Sequence, residues 1–181
     1  MTYRVRKTKL GYELPEVTSA LQKSIRRGEV EHAMWWAQEL LRSSYGAYLW
    51  RRLLVIASED VGPAANDMAV VVRALRENAI VLARRKNLRG EDWEAQSLQA
   101  LHAVVALCLA PKSRLVPEAD FVLRHRADSG ERLEIPDWAL DHHTPAGRRR
   151  GLRKGTAASA RFWKNEGRTI RPDAELREAG S

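Results

Sequence analysis

Apolar residues recur every three or four positions along most of the first 126 residues of the chain. This spacing is typical of amphipathic α-helices, and no stretch shows the sustained two-residue alternation of a β-strand. Short segments rich in Gly, Pro and Ser separate the periodic stretches. The pattern therefore predicts an all-α protein built as an antiparallel array of about six helices with short turns.

Helix-ending residues locate the boundaries of these helices. Gly28 suits the left-handed conformation that ends many helices, and Val61-Gly62-Pro63 stops the third periodic stretch. We expect helices over about 16–27, 29–43, 44–60, 66–86, 91–110 and 117–126. The expected buried stripe of the fifth helix is Leu98, Leu101, Val105 and Leu109.

The character of the sequence changes after residue 126, where three of the seven prolines and six of the eleven glycines occur. Frequent proline and glycine favour loops over long helices. We expect one short helix over 156–165. We predict three parts: a basic N-terminal segment over 1–14, a helical domain over 15–127, and a basic arm over 128–181 that packs partly on the helices.

The formal net charge of +8 is distributed unevenly along the chain. Residues 1–10 carry four basic and no acidic side chains, and residues 142–181 carry ten basic against four acidic ones. Residues 11–141 are left with a charge of −2. An anionic partner would therefore be attracted to the two ends.

Several protein classes are excluded by composition. Cys108 is the single cysteine, so neither an intramolecular disulfide nor a cysteine-based metal cluster can form. There is no apolar run of eighteen residues and no apolar leader at the N-terminus. We expect a cytoplasmic, nucleoid-associated protein without contact to membranes.

Three pieces of sequence resemble one known family. They are SALQKSIRRG over 19–28 with the acidic start of the next helix, Arg51-Arg52 leading into ASEDVG over 57–62, and Ala110-Pro111-Lys112-Ser113 after a long apolar helix. In this order and spacing they resemble the C-terminal domain of the replication-associated recombination protein A family, the maintenance-of-genome-stability AAA+ ATPases. The resemblance covers about residues 17–120.

The resemblance implies an all-helical domain that follows an ATPase module and lid related to clamp loaders and that holds subunits together as a tetramer. It also implies structural or interface roles for Lys23, Arg51, Arg52, Glu59, Asp60 and Lys112.

The ATPase itself is not expected in this chain. No G-x-x-x-x-G-K-[ST] phosphate loop occurs, and the nearest string, over 151–156, reads GLRKGT. We expect a stand-alone domain with no enzymatic activity and no cofactor or metal, which can nevertheless associate with an AAA+ ATPase.

The C-terminal arm carries the residues expected to contact DNA. Flexible cations next to aromatic rings suit phosphate contact and base stacking on single strands. The alternative is a solvated arm that pairs with the acidic helical domain or with a neighbouring subunit. The candidates are Arg148, Arg149, Arg150, Arg153, Lys154, Arg161, Trp163 and Lys164.

Glu59 and Asp60 lie at the expected C-terminal end of the third helix, where acidic side chains oppose the helix dipole. A structural ion-pair network with Arg51, Arg52 or Lys23 is one explanation, and a partner-binding site is the other.

Asp141-His142-His143 spells the motif of the DHH phosphoesterases, whose Asp and His residues bind two divalent cations. That chemistry needs further Asp ligands in an α/β domain, which this helical sequence does not offer. The alternative is a turn in which one histidine caps or packs, before a short helical turn that begins at Thr144-Pro145.

Three functions follow from these observations. The first is a homo-oligomeric, tetrameric scaffold in DNA replication, recombination or repair, which contacts single-stranded or forked DNA through its N- and C-terminal arms. The second is an adaptor that joins or inhibits a full-length AAA+ recombination ATPase. The third is a metal-dependent phosphoesterase that uses the Asp141-His142-His143 triplet.

Overall fold

The predicted all-α fold is confirmed. The computed structural model describes residues 6–85 and 93–169, and in these ranges the backbone forms no β-strand beyond a single bridge between Lys7 and Glu13. The α-helices in the described ranges are α1 Leu14–Arg27, α2 Val30–Arg42, α3 Gly46–Ile56, α4 Met68–Arg85, α5 Trp93–Leu109, α6 Leu115–Asp128, α7 Pro145–Arg149 and α8 Ala157–Thr169.

The chain divides into two compact units. The first is Met1–Arg126 and the second is Ala127–Ser181. In the first unit α5 packs against α2 and α4, and α1 packs against α2. No helix within the described ranges combines the length and the apolarity that a bilayer crossing requires.

The core of the first unit consists mainly of aliphatic side chains. Leu21, Ile25, Leu40, Leu53 and Leu107 are all fully buried. Burying a leucine or isoleucine side chain stabilises a fold by about 1.5–3 kcal/mol, so these helix faces determine how the helices pack.

The buried face of α5 differs from the predicted one. Ala100, Ala103 and Leu107 are buried, whereas Leu98 and Leu109 of the predicted stripe are three-quarters exposed. Apolar residues occupy most of the circumference of α5, so periodicity does not select a face. The small alanines allow neighbouring helices to approach closely on the face that is buried.

Two glycines end helices as the sequence predicts. Gly28 has a φ of +75° and its N–H donates to the carbonyl oxygen of Ile25, which closes the last turn of α1. The end of α3 is less regular, because the chain continues into a π-helical turn at Ala57–Val61. Gly62 follows with a φ of +51°.

Within the first unit, the described part of the N-terminal segment is held by hydrogen bonds to the helical region. The backbone N–H of Lys9 donates to Oγ of Ser43 at 2.8 Å, and that of Leu10 donates to Oε1 of Glu39 at 2.9 Å. The hydroxyl of Tyr45 donates to the carbonyl oxygen of Lys7 at 3.1 Å. These contacts fix the segment against α2 and the start of α3.

Candidate functional site

Asp60 is the centre of a polar cluster inside the first unit. Its carboxylate has no exposed surface and accepts hydrogen bonds from Nε2 of Gln22 at 2.7 Å, Nε of Arg26 at 2.5 Å and one terminal nitrogen of Arg114 at 3.3 Å. The two arginines come from α1 and from the segment before α6. The carboxylate therefore ties together three elements that are far apart in sequence.

The backbone around Asp60 reinforces this connection. Its carbonyl oxygen accepts from the N–H of Ser113 at 3.0 Å. Nearby, Nζ of Lys112 donates to the carbonyl oxygens of Cys108, at 2.9 Å, and of Ala110. Burial lowers the pKa of Lys112, while the charges of Cys108 and Asp60 act in the opposite direction. Lys112 thus satisfies the carbonyl groups that the end of α5 leaves unpaired.

A structural ion-pair network at Asp60 was predicted, but its partners are different. Arg26 and Arg114 pair with Asp60, whereas Lys23, Arg51 and Arg52 do not. Arg52 is connected indirectly, since its guanidinium donates to Oε1 of Gln22.

Helical spacing could have indicated part of the cluster. Gln22 and Arg26 are four residues apart on α1 and therefore share a face. Nothing in the sequence around Arg114 indicates that it pairs with Asp60.

The predicted DNA-contacting residues all belong to the second unit, and each has an exposed side chain. Two of the cations are engaged within it. Arg150 pairs with Asp137 at 2.7 Å, and Arg148 donates to the carbonyl oxygen of His143 at 3.0 Å. Within the described residues, the other cationic side chains have neither an ion pair nor a hydrogen bond: Arg149, Arg153, Lys154, Arg161 and Lys164.

Trp163, on α8, is 47% exposed and held by its neighbours. Its indole N–H donates to Nδ1 of His142 at 3.3 Å, and its ring meets the ring of Phe162 edge-on with centroids 6.1 Å apart. Nδ1 of His142 also lies 2.9 Å from Oγ of the buried Ser159. His142 therefore anchors α8 while part of the indole surface remains accessible.

The triplet Asp141-His142-His143 does come together in space, with one potential ligand atom of each residue within 4.8 Å of the others. No fourth His, Cys, Asp or Glu of the described ranges joins them. Two cations that activate water need more ligands than these three residues supply. Nδ1 of His142 also accepts the N–H of Trp163, so this nitrogen is engaged inside the unit.

The same segment has a structural explanation as the start of α7. Oγ1 of Thr144 accepts the N–H of Gly147 at 2.9 Å, which is an N-cap, and Pro145 follows in the first helical turn. A Cβ on Gly147 would overlap the carbonyl oxygen of Asp141. Close approach of two backbone segments therefore requires glycine at this position.

The comparisons with known proteins agree with the helical architecture. The family model for the C-terminal part of MgsA AAA+ ATPases matches residues 28–158. The chain is 32% identical over 136 residues to the replication-associated recombination protein A of Haemophilus influenzae, covering 75% of this chain and 27% of that protein.

Two further relatives also match only through part of their length. The Bacillus subtilis protein of the same name is 38% identical over 98 residues, covering 54% of this chain and 21% of that protein. An uncharacterized AAA domain-containing protein of Mycobacterium tuberculosis is 32% identical over 129 residues, which are 71% of this chain and 26% of that protein. The chain spans about a quarter of the length of these curated relatives.

Proposed function

Because this chain belongs to the family of MgsA AAA+ ATPase C-terminal domains, we propose that it is a non-enzymatic, oligomeric scaffold in DNA replication, recombination or repair. Two relatives carry the name replication-associated recombination protein A, which supports a role in these processes. The proposed assembly is a homotetramer that works in the cytoplasm at the nucleoid.

The proposed DNA contact is formed by the second unit. The observation that carries it is the exposure of all the predicted cations together with Trp163. Cations without intramolecular partners can neutralise phosphates and release counterions, and a half-exposed indole can stack on an unpaired base. These contacts favour single-stranded or forked DNA.

Assembly multiplies the effect of these weak contacts. Several basic arms on one oligomer act at high effective concentration once the first has bound, so the affinity of the assembly exceeds that of one arm. The scaffold would therefore hold DNA without any single strong site.

Binding of fluorescent single-stranded and forked DNA at increasing salt tests the proposal. The informative variant combines Arg149→Glu and Arg153→Glu, because this pair leaves the Arg150–Asp137 contact intact. We expect weaker DNA binding, a shallower salt dependence and unchanged helicity. The matched control, Arg73→Glu with Arg76→Glu, makes the same charge change on α4 and should bind nearly as the unmodified chain does.

An adaptor that joins or inhibits a full-length AAA+ ATPase is the second candidate, supported by the surface of α6. No side chain of α6 is buried, and Leu115, Phe121 and Leu123 are 64%, 74% and 55% exposed. Exposed apolar surfaces of this kind are typical of protein–protein contacts. If neither DNA shows salt-dependent binding at low salt, the scaffold proposal fails and the adaptor is favoured.

A further inference from the structure

A cationic pocket lies between α1 and α3 of the first unit, apart from the basic arm. Its volume is about 410 Å³. Lys23, Arg26 and Arg52 line it together with a single carboxylate, that of Glu59. Ser19 and Tyr48, whose side chains carry hydroxyl groups, also line it. Three cations facing one carboxylate give the pocket a positive potential.

The cations of the pocket differ in how far they are neutralised. Arg26 pairs with the buried carboxylate of Asp60. Lys23 and Arg52, by contrast, have no carboxylate within 4.0 Å among the described residues. Lys23 and Arg52 thus outnumber the single carboxylate of Glu59 in the lining, which leaves the pocket with a net positive charge.

Arg52 is the cation of the pocket whose position is fixed by a chain of side-chain contacts. One of its terminal nitrogens donates to Oε1 of Gln22, whose Nε2 donates in turn to Asp60. This chain of contacts holds the guanidinium in a fixed position. Its Nε–H is buried and has no hydrogen-bond partner in the described structure. Because this nitrogen has no accessible surface, a ligand in the pocket would meet the terminal nitrogens of the guanidinium and not Nε.

We propose that this pocket binds a phosphate monoester, with Arg52 and Lys23 as its counter-charges and the hydroxyls of Ser19 and Tyr48 as further donors. A guanidinium and a nearby ammonium suit the several oxygens of a phosphate. The volume exceeds that of one phosphate, which leaves room for an attached sugar whose hydroxyl can donate to Glu59. The source is a free nucleotide or the 5′-phosphate of a DNA strand.

Calorimetric titration of the full chain tests this site, with inorganic phosphate, a deoxynucleoside 5′-monophosphate, and one oligonucleotide with and without a 5′-phosphate as probes. We expect a 5′-phosphate-dependent signal that weakens about tenfold or more in Arg52→Gln, because charge-assisted contacts are lost. Arg51→Gln is the matched control: Arg51 is the exposed neighbour on the same helix and does not line the pocket.

Lys23→Gln provides a second variant, on an exposed side chain, in case Arg52→Gln disturbs the cluster at Asp60.

The outcomes distinguish the two sources of the phosphate. Binding of the mononucleotide would identify the ligand as a free nucleotide, whereas binding confined to the 5′-phosphorylated oligonucleotide would identify it as a strand end. No binding of any probe at millimolar concentration would overturn the proposal, as would equal losses in Arg51→Gln and Arg52→Gln. Mononucleotide binding should survive Arg149→Glu with Arg153→Glu, so the pocket and the basic arm are tested separately.

Discussion

Replacing Asp60 by asparagine removes one charge from the interior of the first unit without changing the shape of the side chain. Asp60 accepts from Gln22, Arg26 and Arg114 and has no exposed surface. The amide of asparagine has one oxygen instead of two, so its NH₂ group must face one of these donors. The variant thus loses both the charge and part of the hydrogen bonding.

The expected cost follows from the surroundings of the two arginines. Breaking a buried ion pair by removing one partner typically costs about 3–5 kcal/mol. The side chains of Arg26 and Arg114 are 34% and 38% exposed, so water can solvate part of their charge once the carboxylate is gone. We therefore expect Asp60→Asn to lower the free energy of unfolding by about 3 kcal/mol, the low end of that range.

Urea unfolding followed by circular dichroism at 222 nm measures this change, because urea leaves ionic interactions unscreened. With an m-value of about 1–3 kcal/mol per molar, the midpoint should fall by at least about 1 M. Glu77→Gln is the control: it removes a carboxylate paired with Arg73 on the exposed face of α4 and should cost less than about 0.5 kcal/mol. Equal midpoints for Asp60→Asn and Glu77→Gln would refute the structural role of the cluster.

Two other predictions concern single residues. Gly147→Ala should destabilise the start of α7 by about 1–3 kcal/mol, because the added Cβ overlaps the carbonyl oxygen of Asp141. Amide hydrogen exchange over 144–152 should become faster in this variant. Unchanged exchange would contradict the close approach of the two backbone segments. Burial raises the pKa of the Cys108 thiol from 9.0 to about 11, and the reactive thiolate is therefore scarce at neutral pH. Alkylation by iodoacetamide at neutral pH should be far slower for the folded chain than for the urea-unfolded chain, whereas equal rates would contradict the burial of the thiol.

The helical boundaries could be predicted from sequence because their causes are local. Gly28 ends α1 through its own left-handed backbone, and Thr144-Pro145 begins α7 through a side-chain cap and a preset φ. The buried face of α5 could not be predicted, because an apolar residue such as Leu98 fits either side of a helix that is apolar around most of its circumference. Neighbouring helices decide which side they cover.

In the candidate sites, too, features with a local cause could be predicted from sequence, and contacts between distant segments could not. Exposure of the basic residues of the second unit follows from their composition and loop-rich context. The partners of Asp60 do not, because Arg26 and Arg114 lie 34 and 54 residues away in the chain. The sequence suggested Arg51, Arg52 or Lys23 instead, whereas the fold brings Arg26 of α1 and Arg114 to the buried carboxylate.

The central claim is that this chain forms an assembly that presents several basic arms at once. Its mass in solution, measured by light scattering during size-exclusion chromatography, tests that claim most directly. A mass near four times the 20.5 kDa of one chain is the result we predict. A mass of 20.5 kDa that persists as the protein concentration is raised would contradict the claim, because a monomer has no second arm to supply avidity.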